Sequence, residues 1–244
     1  MRKNISVIMS IYKEPLKWVS ESINSILNQT FKDFEFFIIN DNPNRKELQE
    51  FLKKYKKQDK RIILIQNKKN LGLTKSLNIA LKKSKGKYIA RMDADDISLP
   101  NRLKIQYEYL EKNKRYFLCA SKAILIDEEN NKIVSINILY LDKVLPFILK
   151  NVGNILIHPT IFFRNEGFRY NERFLFAQDY YFYLKVLKCG KKISIIKEPL
   201  IKYRKNQNSI TNTKKDICKK YKILARNLNR KKEKNLIRII FKNH

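Results

Sequence analysis

Glycine, histidine and cysteine are scarce in this 244-residue chain, and each shortage excludes a class of site. The 5 glycines occur singly, so the chain has neither a Gly-rich loop for a dinucleotide or triphosphate nor a G-x-S-x-G nucleophile elbow. The 2 histidines and 3 distant cysteines cannot supply a tetrahedral zinc site. Because the cysteines are few, odd in number and far apart, we expect a reducing compartment rather than a disulfide framework.

Long hydrophobic runs are also missing from the sequence. No stretch of about 18 apolar residues occurs, so we expect no helix that spans a bilayer. The N-terminus leads directly into a strand-like segment, without the apolar region and cleavage site of a signal peptide. A cytoplasmic protein is therefore predicted. Hydrophobic residues still make up 43% of the chain, which is enough for one generous domain, or for one domain with a small appendage.

Acidic residues are heavily outnumbered, since 23 Asp and Glu face 53 Lys and Arg and the net charge is +30. Such an excess fits nucleic acid, an anionic membrane face or phosphorylated small molecules as partners. The excess is spread along the chain, although residues 213–244 are especially basic. Charge alone therefore does not choose the partner.

Against this basic background, Asp93, Asp95 and Asp96 place three carboxylates within four positions. A strand-like run at 87–90 precedes them, and a turn leading to a helix near Pro100 follows. Packed carboxylates repel one another unless a cation holds them, and oxygen ligands of this kind suit Mg²⁺ or Mn²⁺. The alternative is a solvated acidic turn, which is the better interpretation of an isolated D-x-D pattern.

Strands and helices alternate regularly in the first half of the chain. This alternation implies βαβ units and a parallel sheet covered on both faces, in which ligands bind at the carboxyl ends of the strands. Asp41 and the acidic cluster both lie at such ends. The predicted strands are 5–11, 34–39, 62–65 and 87–92, and the predicted helices are 15–29, 45–57 and 74–83.

The second half of the chain is less regular. Its hydrophobic patterns predict more strands than helices, followed by a basic, partly amphipathic helical tail from residue 214. The predicted strands are 116–126, 132–138, 155–164, 192–196 and 201–204, and the predicted helices are 141–150 and 180–189.

Six short segments, taken in order, resemble the family 2 glycosyltransferases, which are inverting enzymes of the GT-A fold that use nucleotide-diphosphate sugars. The similarity covers about residues 6–204 and is greatest to bacterial enzymes that build surface polysaccharide or lipooligosaccharide. The segments are SVIMSIY at 6–12, SILNQT at 25–30, NLGLTKSLN at 70–78, ARMDADD at 90–96, HPT at 158–160 and AQDY at 177–180.

The resemblance implies a GT-A-like α/β fold with a Rossmann-related, mostly parallel central sheet flanked by helices. A glycosyltransferase domain would span 1–212, with its nucleotide-binding half at 1–97 and its acceptor-binding half at 98–212. The basic helical tail would span 213–244. The donor would be a UDP-hexose or UDP-N-acetylhexosamine, and the acceptor a glycan or a lipid-linked sugar.

The same resemblance implies separate roles for individual carboxylates. Asp93 would hold the ribose, and Asp95 would bind the divalent metal, Mn²⁺ or Mg²⁺, through which the diphosphate is held. Asp179 would be the catalytic base that deprotonates the acceptor hydroxyl, although from the residues alone it would be interpreted as a helix cap. The remaining donor contacts would come from Ser10, Tyr12, Glu14, Asp41 and Lys75.

Asp96 and His158 keep two interpretations each, and Gln178 departs from the family pattern. Asp96 would bind the metal through water or cap the following helix, and we favour the cap slightly. His158 would orient the acceptor or diphosphate, or would be structural. Gln178 stands where many relatives have Glu, which would alter an acceptor contact.

Many relatives also carry a histidine shortly after the late arginine, where this chain has none. If that histidine binds metal or diphosphate in relatives, Asn206 or Asn208 must substitute for it here, or Arg204 must take over.

The basic tail, from Lys214 to Arg238, mixes apolar residues with a dense basic face. This pattern predicts peripheral docking on an anionic membrane at the inner face of the cell membrane, and a solvated basic helix that caps the domain explains it equally well. The apolar residues are Ile217, Ile223, Leu224, Leu228, Leu236 and Ile237.

Three other functions remain as alternatives at this point, and one of them is a catalytically inactive module that binds a nucleotide sugar without transferring it. A metal-dependent nucleotidyltransferase would also cluster carboxylates, but it would release pyrophosphate and would not depend on Asp179. A basic nucleic-acid-binding protein would use the positive charge but would leave the acidic cluster unexplained, so no nucleic-acid partner is expected. The oligomeric state is not predicted.

Overall fold

The computed structural model describes residues 3–136, 143–206 and 213–230, and these carry one nine-stranded sheet. The first half of the chain alternates strand and helix, as the sequence predicts, with element ends within two residues of those expected. Its strands are β1 (Ile5–Ile11), β2 (Phe34–Asn40), β3 (Ile62–Gln66) and β4 (Tyr88–Asp93), and its helices are α1 (Leu16–Leu27), α2 (Lys46–Gln58) and α3 (Leu73–Lys83).

These four strands are parallel and lie in the order β3–β2–β1–β4. β1 and β2 are buried almost along their whole length, as expected of strands covered on both faces. The register pairs Ser10 with Asp93 and Ile11 with Asn40. The carboxyl ends of β1, β2 and β4 therefore meet at one edge of the sheet.

The second half of the chain completes the sheet with mixed pairings in the order β4–β8–β6–β9–β5, and β7 pairs with β6. β6 and β9 are parallel, whereas β8 runs antiparallel to both β4 and β6. The strands are β5 (Ile97–Ser98), β6 (Tyr116–Ile126), β7 (Lys132–Ile136), β8 (Phe162–Arg164) and β9 (Lys192–Arg204), and the helices are α4 (Arg102–Lys112), α5 (Leu145–Asn151), α6 (Gln178–Lys188) and α7 (Lys215–Arg230).

Two strand predictions in this half were wrong. The strand predicted at 155–164 is extended only over β8, because His158–Thr160 forms a 3₁₀ turn around Pro159, which has no N–H for a sheet. The two late strands predicted at 192–196 and 201–204 are one strand, β9. Pro199 is tolerated inside it because the register shifts opposite Ser121 and Lys122, where one ladder bond is not needed.

Helices cover both faces of the sheet, and the alternation of side chains along β1 divides the core between them. Val7 and Met9 pack with residues of α1, α2 and α4, whereas Ile8 packs on the other face with residues of α3, α5, α6 and α7. The fold is the α/β arrangement that the sequence predicts.

Helix α7 belongs to the second of these core layers. Tyr221, Leu224 and Ala225 are at most 5% exposed, and Ile217 and Leu228 pack beside them. This corrects the expectation that Ile217, Leu224 and Leu228 face a membrane, since the core already covers them. Leu236 and Ile237 lie outside the described residues. Among the helices that the structure describes, none is long and apolar enough to cross a bilayer.

Candidate functional site

The acidic cluster lies at the carboxyl end of β4, on the edge where β1 and β2 also end. One carboxylate oxygen from each of Asp93, Asp95 and Asp96 lies within 4.8 Å of the others. Burial, followed by the charges of Asp93 and Glu14, raises the pKa of Asp95 to about 7. Burial and the two neighbouring carboxylates raise the pKa of Asp96 well above its usual range. The charged forms of Asp95 and Asp96 are therefore unfavourable in this arrangement unless a cation lies beside them.

Asp96 supplies a direct test of whether the cluster suits a divalent metal. Its Oδ1 accepts a hydrogen bond from the Arg204 backbone N–H at 2.8 Å, whereas Oδ2 is buried with no hydrogen-bond partner among the described residues. A buried carboxylate oxygen without a donor is costly, and a hard cation such as Mg²⁺ or Mn²⁺ would satisfy it. The residues present fit such an ion. The favoured interpretation of Asp96 as a helix cap was wrong, because α4 begins six residues later, after Asn101.

A buried arginine, Arg91, binds the carboxylate of Asp93. Both terminal nitrogens of Arg91, which is 1% exposed, donate to the two Asp93 carboxylate oxygens, and Ser22 Oγ donates to the Asp93 carbonyl at 2.8 Å. Sequence reasoning missed Arg91. The sequence does indicate this contact, because Arg91 stands two residues before Asp93 and residues i and i+2 of a strand share a face.

Arg204 fixes the rest of the acidic loop. Its side chain is fully buried against the Trp18 ring, and each of its five N–H donors has an acceptor within the protein. The acceptors are the carbonyls of Asp95 (2.8 Å), Asp127 (3.1 Å) and Glu128 (3.0 Å), Glu21 Oε2 (2.7 Å) and Asn130 Oδ1 (2.8 Å).

These contacts correct the expectation that Arg204 replaces a missing histidine, because its donors are already used. The arginine instead ties the acidic loop to α1 and to the turn before β7. Asn206 makes interactions within the protein, and Asn208 lies outside the described residues.

Asp41 lies at the end of β2 and is 2% exposed. Its carboxylate accepts hydrogen bonds from Asn67 Nδ2 (2.7 Å) and from the backbone N–H groups of Leu71 (2.8 Å) and Gly72 (2.8 Å). Gly72 has φ +83°, a left-handed conformation that suits glycine, and α3 starts directly after it. Asp41 thus holds the loop that opens α3, and one of its four lone-pair positions remains for a ligand.

The other residues expected to contact the nucleotide sugar lie around the same edge of the sheet. Glu14 Oε2 accepts the Tyr12 N–H at 2.8 Å, and the Tyr12 side chain is 40% exposed. Burial raises the pKa of Glu14. Ser10 lies beside Asp93 in the sheet, and Lys75 is exposed in the first turn of α3. The structure therefore brings Ser10, Tyr12 and Glu14 together with the acidic cluster.

Asp179 lies in the first turn of α6, which begins at Gln178 after Ala177 adopts a left-handed φ of +51°. Asn154 Nδ2 donates to its Oδ2 at 2.8 Å. Burial raises its pKa, while a backbone hydrogen bond from Tyr180 and the positive charges of Arg91 and Lys222 oppose that shift. A carboxylate with a raised pKa is the kind of group that can accept a proton near neutral pH.

The segment before α6 is attached to the donor-side helix α3. Thr74 Oγ1 donates to the Phe174 carbonyl at 3.0 Å, and Asn78 Nδ2 donates to the Tyr170 carbonyl at 3.0 Å. His158 supports the same segment, since its Nε2 lies 2.7 Å from Tyr170 Oη. Burial holds the pKa of His158 well below its usual value, so the ring stays neutral. These contacts favour the structural interpretation of His158.

Comparison with known proteins places these features in a family. The family model described as "Glycosyl transferase family 2" matches residues 6–231. An uncharacterized glycosyltransferase of Methanocaldococcus jannaschii is 38% identical over 93% of this chain and 80% of its own length.

A second relative comes from Escherichia coli and is named UDP-Glc:alpha-D-GlcNAc-diphosphoundecaprenol beta-1,3-glucosyltransferase. It is 31% identical over 91% of this chain and 85% of its own length. Among solved structures, S. aureus TarS 1-349 in complex with UDP-GlcNAc superimposes with a TM-score of 0.67 at 21% identity, covering 84% of this chain and 60% of that one. The structural likeness confirms the GT-A-like fold expected from the sequence.

Proposed function

The chain belongs to glycosyltransferase family 2 and is a glycosyltransferase, and we propose that it moves a hexose or N-acetylhexosamine from a UDP-sugar to a glycan or lipid-linked acceptor. The reaction would serve cell-surface polysaccharide synthesis and would invert the anomeric carbon. One observation carries the proposal. A three-carboxylate cluster with an unpartnered buried oxygen lies on the edge where β1, β2 and β4 end, and a separate buried carboxylate, Asp179, has a raised pKa.

The nucleotide part of the donor is assigned to the edge formed by β1, β2 and β4. Asp93 is the proposed ribose contact, because its carboxylate is held in one orientation by Arg91 and is still 28% exposed. Ser10, Tyr12 and Glu14 are its neighbours on this edge. Asp41 and Lys75 flank the start of α3, where a remaining lone pair of Asp41 would accept an N–H of the base.

Asp95 is the proposed metal ligand, with Asp93 and Asp96 beside it. A bound Mn²⁺ or Mg²⁺ would supply Lewis-acid stabilisation of the negative charge that forms on the leaving nucleoside diphosphate. The protein's own part is to keep the three carboxylates together. Arg204 does this through the Asp95 carbonyl and through its backbone N–H on Asp96.

Asp179 is the proposed catalytic base. Its carboxylate would take the proton of the acceptor hydroxyl as that oxygen attacks the sugar C1, on the face opposite the departing diphosphate. Asn154 donates to one Asp179 oxygen and so helps to orient the carboxylate for this step. Gln178, the preceding residue, is a candidate acceptor contact.

The identity of donor and acceptor follows the named relative. The Escherichia coli glucosyltransferase acts, by its name, on a UDP-sugar and a sugar carried on a lipid diphosphate. We assign the same chemical classes to this chain, with the individual sugars to be identified by experiment.

A thermal-shift screen of nucleotide sugars, each with and without Mn²⁺, tests the proposal. We expect one UDP-sugar to raise the unfolding temperature in a metal-dependent way, and Asp95→Ala to remove that shift. Glu50→Gln, a change to a surface carboxylate on α2, is the matched control and should keep the shift. If no nucleotide stabilises the protein under any of these conditions, the proposed donor class is wrong.

A further inference from the structure

Helix α5 has apolar side chains on two sides, one buried in the core and one exposed to solvent. Leu145 and Leu149 enter the core, whereas Val144 is 41% and Phe147 is 64% exposed. Val152, just after the helix, is 67% exposed. Exposed large apolar side chains that gather on one short element mark a binding surface more often than scattered ones do.

The exposed apolar side chains continue onto α7. Arg226 Nη1 donates to the carbonyls of Asn151 (3.1 Å) and Val152 (3.4 Å), which fixes the end of α5 against α7. Ile223 is 43% exposed and lies three residues before Arg226, so the two share a side of that helix. We call this continuous feature, formed by Val144, Phe147, Val152 and Ile223, the α5–α7 surface.

Positive charge surrounds the α5–α7 surface. Residues 143–152 and 213–229 contain eight Lys or Arg and one acidic residue, Asp216. Lys150 follows Phe147 by three residues, and the exposed Lys219 and Lys220 precede Ile223 by one helical turn. Basic side chains therefore lie beside the exposed apolar ones on both helices.

The α5–α7 surface borders the proposed catalytic base. Tyr180 Oη, on α6, donates to the Leu149 carbonyl at 2.6 Å. Asn154, two residues after Val152, donates to Asp179. A partner seated on this surface is thus next to the residues that would receive the acceptor.

We propose that the α5–α7 surface docks on an anionic lipid membrane. Phe147, Val152 and Ile223 would enter the boundary between headgroups and acyl chains, and the lysines would contact lipid phosphates. Basic residues near an anionic surface add favourable electrostatic energy, so the lysines around the surface support reversible binding. Nucleic acid would use the charge but would leave the apolar side chains in water.

The docking itself is independent of the donor chemistry, and only its use in presenting a lipid-linked acceptor to Asp179 rests on the proposed function. The surface also differs from the one predicted from the sequence, because Ile217, Leu224 and Leu228 face the core. Of the tail residues expected to meet the membrane, only Ile223 belongs to it among those described.

Vesicle flotation of the full chain tests the docking, with phosphatidylcholine vesicles that contain or lack phosphatidylglycerol. We expect binding only to the anionic vesicles. The combined change Phe147→Ser, Val152→Ser and Ile223→Ser should lower the vesicle partition coefficient about tenfold or more, as should Lys219→Glu with Lys220→Glu.

Two matched controls separate this surface from the overall positive charge. Ile133→Ser with Val134→Ser removes apolar side chains of similar exposure from β7, at 48% and 50%. Lys54→Glu with Lys57→Glu reverses two exposed charges on α2. Both controls should bind vesicles like the unchanged protein, and all variants should remain folded, with a single cooperative thermal unfolding transition.

Three results would overturn the docking proposal. They are no binding of the unchanged protein to anionic vesicles, an equal loss of binding in the control variants, or a triple serine variant that binds vesicles normally but no longer self-associates. The last result would show that a second copy of the chain covers the surface. Vesicle binding without any nucleotide-sugar shift would instead reject only the proposed donor class.

Discussion

At the scale of single residues, Arg91 and Arg204 bring two buried positive charges to the acidic cluster and use them differently. Arg204 places all five donors on protein acceptors and so repays the cost of burying a guanidinium. Arg91 donates twice to Asp93, and its buried Nε has no partner among the described residues. Arg204 is therefore a structural anchor of the loop, whereas Arg91 sets the orientation of Asp93.

Arg204→Lys keeps the charge but loses the planar fork that reaches five acceptors. We expect the free energy of unfolding to fall by about 3 kcal/mol or more, because Glu21 and several carbonyls lose their donors in a buried site. Urea denaturation measures the change. Lys191→Gln, which breaks an exposed ion pair with Glu166, should cost less than about 1 kcal/mol. Equal losses in the two variants would contradict the anchoring role.

Asn154→Ala tests the environment of the proposed base through its pH dependence. Asn154 stabilises the charged form of Asp179, so its removal should raise the pKa of that carboxyl further. Activity falls where the base is protonated, and the acid limb of the kcat profile should therefore move to higher pH.

At high pH the rates of Asn154→Ala and of the unchanged protein should converge. Asn227→Ala, at an exposed position of α7, should leave the profile in place. An acid limb that stays fixed, or moves to lower pH, in Asn154→Ala would show that Asp179 is not the titrating base.

At the scale of elements, α7 offers two adjacent residues with opposite environments. Leu224 is 1% exposed in the core, and Ile223 is 43% exposed on the α5–α7 surface. Leu224→Ala should lower the free energy of unfolding by about 2–5 kcal/mol, because it removes buried methyl groups and leaves a cavity. Ile223→Ala should stay within about 0.5 kcal/mol. Similar small effects of both, measured by urea denaturation, would mean that α7 is not part of the core.

The first-half elements could be predicted from sequence because their signals are local. Each strand of β1–β4 is an apolar run bounded by turn residues, and each helix carries its own 3.6-residue period. The strand that contains β8 was predicted too long and β9 was divided in two, because their hydrogen bonds come from strands distant in sequence. The bulge opposite Pro199, which lets β9 continue, depends on β6 and cannot be recognised within the segment itself.

In the candidate site, as in the fold, the residues that could be predicted are those marked by a local sequence pattern. Asp41, Asp93 and Asp95 follow apolar strands, so local pattern and family resemblance both indicate them. The burial of Arg91 and Arg204 could not be foreseen in a chain with 53 Lys and Arg, because composition does not distinguish the few basic residues that enter the core. Asp96 was misinterpreted because its hydrogen-bond partner, Arg204, is 108 positions away in the sequence, where no local pattern indicates it.

At the scale of the whole molecule, the net charge of +30 opposes folding through self-repulsion. Exposed ion pairs such as Lys87 with Glu111 and Lys191 with Glu166 act in the opposite sense. Each is worth about 0–1 kcal/mol, and salt weakens these pairs as it weakens the repulsion. Because basic residues exceed acidic ones more than twofold, repulsion should dominate the response to salt.

We therefore expect NaCl to stabilise the protein. Raising the salt concentration from about 0.01 M to 0.1 M shortens the screening length from about 30 Å to about 10 Å, which suppresses repulsion between distant lysines. A gain of about 1 kcal/mol corresponds to a rise of about 2–4 °C in Tm for a chain of this size. Lys54→Glu with Lys57→Glu lowers the net charge and should respond less to NaCl, as differential scanning calorimetry can measure. A fall in Tm with NaCl would mean that the exposed ion pairs outweigh the repulsion, and that the positive charge is spaced widely enough to be tolerated without a bound anion or an anionic surface.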